Sequence, residues 1–234
     1  LRLVNASGAP VRVWRFPLDL DRIRLHKLAT LLDEEERGQA ARFRDARDRG
    51  RYVAAHGQLR LVLARQIGAQ PGTLRFKRGR WGRPALAEGR VTFSLAHSGG
   101  QALCAVGEQV ELGIDLEEMR PLPDMSRLAL EIMSAAELDR FWAIPPAGRR
   151  RAFYTAWTLK EAYLKAVSVG LGRPPCEVEV DLRTVRRPML LAVAGDRAEA
   201  ARWSVTPLRA ADGFVGVLLH TSTASQHKWQ EEQR

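Results

Sequence analysis

Cysteine is scarce in this chain. Cys104 and Cys176 are the only two among 234 residues, and they lie far apart. Their spacing offers neither a disulfide framework nor a metal knuckle, so a reducing compartment is the expected setting. Long hydrophobic runs are missing too. No apolar stretch reaches transmembrane length and no signal-peptide pattern opens the chain, which leads to the expectation of a cytoplasmic protein without membrane contact. Acidic residues are in deficit. Asp and Glu number 27 against 37 Lys and Arg, a formal charge of +10. That balance favours polyanionic or acidic partners: nucleic acid, a phosphate-rich small molecule or an acidic protein. No nucleic-acid motif accompanies the charge, and no aromatic-and-basic strand pattern does either, so nucleic acid is not the expected partner.

What is present is the composition of a globular protein, 45% hydrophobic and 27% charged, long enough for one large domain or two ordinary ones. One stretch organises the rest: Leu112-Gly113-Ile114-Asp115-Leu116-Glu117. Its strict alternation reads as a strand, with Leu112, Ile114 and Leu116 on one face and Gly113, Asp115 and Glu117 on the other. Two carboxylates then share a face with only a glycine beside them. Like charges so close raise each other's pKa unless a cation sits between them. A half-exposed edge strand would show the same alternation. The second stretch that matters is Trp157-Thr158-Leu159-Lys160-Glu161-Ala162-Tyr163-Leu164-Lys165-Ala166. Glu161 and Lys165, four apart, share a helix face, as any ordinary helical ion pair would.

Along the chain, residues 11–16 form a strand candidate closed by Pro17. A helical pattern follows through Leu25, Leu28, Leu31 and Leu32, and Ala40 and Phe43 continue its period. A second helix is expected over about 48–67, with Arg47, Arg49, Arg51 and Arg60 mostly on a solvated face. Residues 68–72 read as a turn and 73–76 as a strand. Residues 78–84 form a basic, glycine-broken loop that can offer amides and guanidinium groups to phosphate, although an exposed hairpin is the commoner reading of such composition. The strand candidate 91–96 ends in His97-Ser98-Gly99-Gly100. Residues 102–106 and 112–117 are expected to pair as a hairpin across 107–109. Pro121 and Pro123 mark a boundary between an N-terminal half, 1–118, and a C-terminal half, 119–221, with a polar tail over 222–234. Ser134 and Glu137 form a capping-box pattern that starts a helix at Ala135; Pro145, Pro146 and Gly148 end it. A further helix is expected over about 149–167 with Phe153, Ala156, Trp157, Leu164 and Val167 on its buried face. Strand candidates 178–182, 202–206 and 214–219 follow, with Asp212-Gly213 as a hairpin turn. The halves share a coarse order of helices and short strands without a residue-level repeat.

The ordered set is specific: a basic helix, Gly82-Arg83-Pro84, then Phe93-Ser94-Leu95-Ala96-His97-Ser98-Gly99, then Gly113-Ile114-Asp115-Leu116-Glu117, then Trp157 to Lys165. In this order and at these spacings the chain resembles the 4′-phosphopantetheinyl transferase superfamily, in its two-half monomeric class typified by the surfactin-synthetase activator. The likeness covers roughly residues 30–182. It implies an α+β fold of two similar halves related by a pseudo-twofold, with coenzyme A in the cleft between them. It also implies Mg²⁺-dependent transfer of the phosphopantetheine arm to a serine of an acidic acyl or peptidyl carrier protein, releasing adenosine 3′,5′-bisphosphate.

Carried onto this sequence, the resemblance makes Asp115, Glu117 and Glu161 the metal ligands and Glu161, Lys165 and Asp115 the catalytic group. Arg47, Arg51, Arg83, Pro84, His97, Ser98 and Lys165 become the coenzyme A contacts. The chemistry suits these residue types, because phosphoryl transfer needs the pyrophosphate charge neutralised and the nucleophile placed in line, and Mg²⁺ takes a few carboxylates with phosphate oxygens and waters. Two departures stand out. Ala96 occupies the place of the family's usual serine. Glu36 and Gln39 stand where basic residues usually precede Phe43, leaving Arg42, Arg44 or Arg47 to compensate.

Overall fold

The computed structural model describes residues 2–3, 11–79, 82–87, 91–168, 172–184 and 186–221. The expected tail over 222–234 lies outside them. The fold is α+β. After the short β1 (Arg2–Leu3) come β2 (Val11–Pro17), three helices α1 (Arg22–Ala29), α2 (Glu34–Ala41) and α3 (Ala46–Ile67), and four strands. These are β3 (Phe76–Arg78), β4 (Pro84–Leu86), β5 (Val91–Ser98) and β6 (Gln101–Glu108). The order then recurs: β7 (Leu112–Glu118), helices α4 (Met125–Ile132), α5 (Ala135–Ala143) and α6 (Pro146–Ala166), and strands β8 (Val178–Asp181) and β9 (Met189–Val193). A short α7 (Arg197–Ala201) precedes β10 (Trp203–Leu208) and β11 (Phe214–Thr221). The main sheets run β1-β2-β6-β5 and β10-β11-β7, and β3-β4 and β8-β9 are separate hairpins. No helix among the described residues is long and apolar enough to cross a membrane.

Alternation assigns the layers. On β2, Trp14 and Phe16 join the core under α3, while Val11 and Val13 turn the other way. On β7, Leu112, Ile114 and Leu116 meet Val11, Val13, Leu103, Ala105 and Leu218 in a cluster drawn from both sheets. The opposite face of β7 is left for α6, which packs on β7 and β11. A Cβ at Gly113 would overlap the Ala162 carbonyl oxygen and sit 2.7 Å from the Ala166 nitrogen, so only glycine lets strand and helix come this close.

β5 and β7 lie side by side without a backbone ladder. The Ile114 and Glu118 amides would otherwise be unsatisfied; they donate to Ser94 Oγ at 3.3 Å and Ser98 Oγ at 3.1 Å. Both pairs are 20 residues apart, so the two strands run parallel.

Two buried polar knots brace the long helices. Arg60 of α3 donates to Asp33 and Glu36, the capping box of α2, and to the Pro71 and Leu74 carbonyls. Lys160 of α6 donates to Glu137, in the capping box of α5, and to the Pro175 and Val178 carbonyls. The plan is the same, yet Arg stands for Lys, Asp for Ser and Leu for Val. No residue-level repeat is therefore visible in the sequence.

Several expectations need correction. The 102–106 and 112–117 strands do not form a hairpin, because β6 is already flanked by β2 and β5 and β7 pairs with β11. The first helical stretch is two helices, since Asp33 and Glu36 close a capping box that starts α2. Thr73 lies in a 3₁₀ turn, and the strand after it begins at Phe76. Pro146 and Gly148 open α6 instead of closing α5, proline being well suited to the first helical turn. Helices α4 and α7 and strand β9 had no counterpart in the sequence reading.

Two stability tests follow. Lys160 and Glu137 side chains are both fully buried, so Lys160→Met strands a carboxylate and should cost about 3–5 kcal/mol in urea unfolding. The exposed Arg127–Glu131 pair should cost under about 1 kcal/mol when Arg127 is replaced by Ala; equal losses would show that the knot is not special. Gly113→Ala should lower stability by roughly 1–3 kcal/mol or more as β7 is forced off α6. A melting temperature equal to that of the parent protein would mean the interface has slack.

Candidate active site

The face that β7 turns to α6 carries Asp115 and Glu117, and the α6 turns opposite carry Glu161 and Lys165. The helix period and the strand period converge here, so all four proposed metal and catalytic residues come together. Lys165 Nζ donates to Asp115 Oδ1 at 2.5 Å. Asp115 is 4% exposed, and its Oδ2 is buried with no hydrogen-bond partner among the described residues. Burial, with help from Glu117 and Glu161 against the pull of Lys165, pushes the Asp115 carboxyl up to about 7. Burial raises the Glu161 carboxyl as well, opposed by Lys165 and reinforced by Glu117. Lys165 thus bonds across to the strand, and the Glu161 carboxylate makes no hydrogen bond among the described residues. The ordinary helical ion pair is not what forms.

Glu117 is held at both oxygens. Ser98 Oγ donates to Oε2 at 2.9 Å and Trp157 Nε1 donates to Oε1 at 3.2 Å. The Trp157 indole was read from sequence as buried bulk; its N–H is the part that orients an acid. Among the described residues no group of three His, Cys, Asp or Glu side chains converges at metal-ligand spacing.

Two cavities meet at His97. One of about 410 Å³ is lined by Phe43, Arg51, Tyr52, His97, Ser98, Glu117 and others. The next, about 340 Å³, is lined by His56, Arg83, Pro84, His97 and Lys165 among others. Side by side they make a trough from the start of α3 to the β3–β4 hairpin, and of the three proposed metal ligands only Glu117 lines it. A larger cavity of about 660 Å³ beside β8, β9 and α7 contains none of the expected site residues. Burial, followed by Lys165, His56 and Arg51, pushes the His97 pKa down. Stacked rings of Tyr52 and His56, with Phe43 tilted against Tyr52, build one wall.

The remaining expected contacts are placed less simply. Arg83 lines the trough, but its NH1 donates to the Ala166 carbonyl and Ser168 Oγ and its NH2 to the Phe93 and Leu112 carbonyls. It ties β5, β7 and the end of α6 together, and Pro84 starts β4 beside it. Arg47 and Arg51 both bond to Asp19. Asp19 precedes them by 28 and 32 residues, a separation at which nothing in the sequence marks a partnership.

Comparison with known proteins agrees with this geometry. The 4′-phosphopantetheinyl transferase superfamily model matches residues 111–216, which span β7 and α6. The chain is 35% identical to the 4′-phosphopantetheinyl transferase HetI of Nostoc sp., over 89% of this chain and 86% of that protein. It is 28% identical to a phosphopantetheinyl transferase of Thraustochytrium sp., over 72% of this chain and 62% of that one. It is 26% identical to the 4′-phosphopantetheinyl transferase Sfp of Bacillus subtilis, over 63% and 65%. With the acids and the lysine gathered on β7 and α6, and a likeness to HetI that runs nearly the whole length, this protein is an enzyme of the 4′-phosphopantetheinyl transferase superfamily.

Proposed function

We propose that the protein transfers the 4′-phosphopantetheine arm of coenzyme A to a serine hydroxyl of an apo acyl or peptidyl carrier protein, releasing adenosine 3′,5′-bisphosphate. The observation that carries the reading is the buried Asp115 carboxylate, bonded to Lys165 through one oxygen and unpartnered at the other, beside Glu117 and Glu161. The three carboxylates do not stand at metal-ligand spacing, but an unpartnered buried oxygen beside two further acids has the donor chemistry for a divalent cation, which would relieve the repulsion among them. Asp115, Glu117 and Glu161 would hold Mg²⁺, whose chemistry is to neutralise charge on the pyrophosphate.

The chain's own groups account for the rest. Lys165 offers a fixed positive charge to the pyrophosphate as the bond breaks. The serine Oγ forms a bond to the phosphorus bearing the arm, and the bridging oxygen leaves with the adenosine bisphosphate. Glu161, directly or through a water, is our candidate to receive the serine proton, a lesser claim than its metal role because a carboxylate bound to Mg²⁺ is a poor base. Burial first, and then Lys165, His56 and Arg51, depress the His97 pKa; a phosphate placed there would oppose that shift and gain a charged donor. Arg47, Arg51, Arg83, Pro84 and Ser98 complete the coenzyme A site, Arg83 and Ser98 chiefly by holding its walls.

The recurring element order and the two matching polar knots support a pseudo-twofold pair of halves. β7 falls within the first half, 1–118, as bounded by sequence, yet it opens the recurring element order and hydrogen-bonds to β11 in the second, 119–221. The same reading makes the protein a monomer, since one chain supplies both walls of the trough, and the two isolated cysteines suit a reducing cytoplasm. The excess of basic charge suits an acidic carrier.

Glu161→Gln should cut transfer at least about a hundredfold, read as the mass gain of an apo peptidyl carrier protein incubated with coenzyme A and Mg²⁺. Retained transfer would remove Glu161 from both the metal and the base role. A chelator should abolish the same gain and Mg²⁺ restore it. Raising ionic strength should increase KM for the carrier more than KM for coenzyme A; parallel increases would argue against electrostatic capture of the carrier.

A further inference from the structure

Asp19 lies just past β2, where the Leu18 amide donates to the Gly100 carbonyl at 2.9 Å. Its carboxylate is gripped by two guanidinium groups at once. Arg51 donates from Nε at 2.8 Å and from NH2 at 2.9 Å, and Arg47 from Nε at 3.3 Å and from NH2 at 3.1 Å. Arg47 and Arg51 are one turn apart on α3, so without an anion between them their charges would repel. The second glycine of the turn after β5 makes room for the arrangement, since a Cβ on Gly100 would lie 2.7 Å from Asp19 Oδ2.

Both arginines meet Asp19 through the Nε/NH2 edge, and NH1 of neither makes a hydrogen bond among the described residues. A guanidinium has a second edge, NH1/NH2, with the same fork geometry. Arg47 is 68% exposed, but Arg51 is 19% exposed and lines the cavity with Tyr52, His97 and Ser98. Asp48, Glu117, Glu118 and Arg120 line the same cavity, so what this end offers an anion is the second guanidinium edge of Arg51 and not a net positive charge.

We propose that Asp19 is a positioning residue that orders Arg51, seconded by Arg47, as a fork for the phosphate monoester of coenzyme A. The inference rests on the reading of the trough as the coenzyme A site. The pyrophosphate is assigned to Lys165 and the neighbouring acids, so the monoester is the phosphate left for the arginine end. Asp19 touches no substrate; it fixes the direction of a side chain whose rotamer freedom would otherwise weaken every phosphate bond it makes.

The test is calorimetric binding of coenzyme A and of dephospho-coenzyme A, which lacks the monoester, to the full chain. Asp19→Asn should weaken coenzyme A binding about tenfold and leave dephospho-coenzyme A within about twofold. Arg51→Lys keeps the charge, loses the fork, and should give the same pattern; the double variant should lose little more, because the two residues act as one unit. Equal weakening of both ligands, additive losses, or tighter coenzyme A binding by Asp19→Asn would each overturn the proposal, the last by making Asp19 a competing anion. A parent protein that binds neither ligand would instead overturn the coenzyme A reading itself. Asp19 is 45% exposed, so its variants should melt within a few degrees of the parent; a large drop would recast the cluster as a fold brace.

Discussion

The contact on which the site depends is the approach of β7 to α6 at Gly113. Without a side chain there, the strand lies against the helix backbone at Ala162 and Ala166. Asp115 is then carried under α6 away from water, with the half-buried Glu117 beside it at the cavity. Burial of Asp115 is unfavourable for its charged form, and the Lys165 bond offsets only part of that cost because one carboxylate oxygen stays unsatisfied. Such strain of solvation is tolerable only because the surrounding core is well made: α6 is buried at Phe153, Ala156, Leu159 and Tyr163, and Lys160 bolts it to α5 and the segment before β8. Stability is concentrated in the frame and sacrificed at the acids.

Positive charge is divided by its surroundings into three kinds. Arg60 and Lys160 are fully buried and spend their donors on capping acids and backbone carbonyls. Arg83 is spent on four acceptors from β5, β7 and the end of α6, so it holds the trough's wall instead of standing free in it. Arg51 and Lys165 are each tied to one carboxylate and retain further donors toward the cavities they line. Of these five, only Arg51 and Lys165 can meet a phosphate without breaking the fold. A count of arginines could not have separated these roles, because the difference lies in which acceptors each guanidinium reaches.

The alternation of 112–117 and the four-residue spacing of Glu161 and Lys165 were legible because strand and helix periods are local properties. The capping box at Ser134 and Glu137 was legible for the same reason. The pairing of β7 was not. A short loop after β6 suggested a hairpin, but the vacancy on β6 had already been filled by β2, whose sequence lies far upstream. The start of α6 was missed because Pro146 is a helix breaker in the interior and a helix opener at the first turn, and only the packed helix reveals which position it holds.

The sequence by itself pointed to the family, by resemblance of its ordered motifs, and to the α+β character, and it singled out the acids and the lysine as candidates, since motifs and periods are local properties. Tertiary structure alone decided that Lys165 bonds to Asp115 and not to Glu161, that Trp157 and Ser98 hold Glu117, and that Asp19 gathers two arginines. Each of those choices depends on which side chains are brought within hydrogen-bonding distance across tens of residues of chain. That distance is set by the packing of a whole core, and no local pattern encodes it.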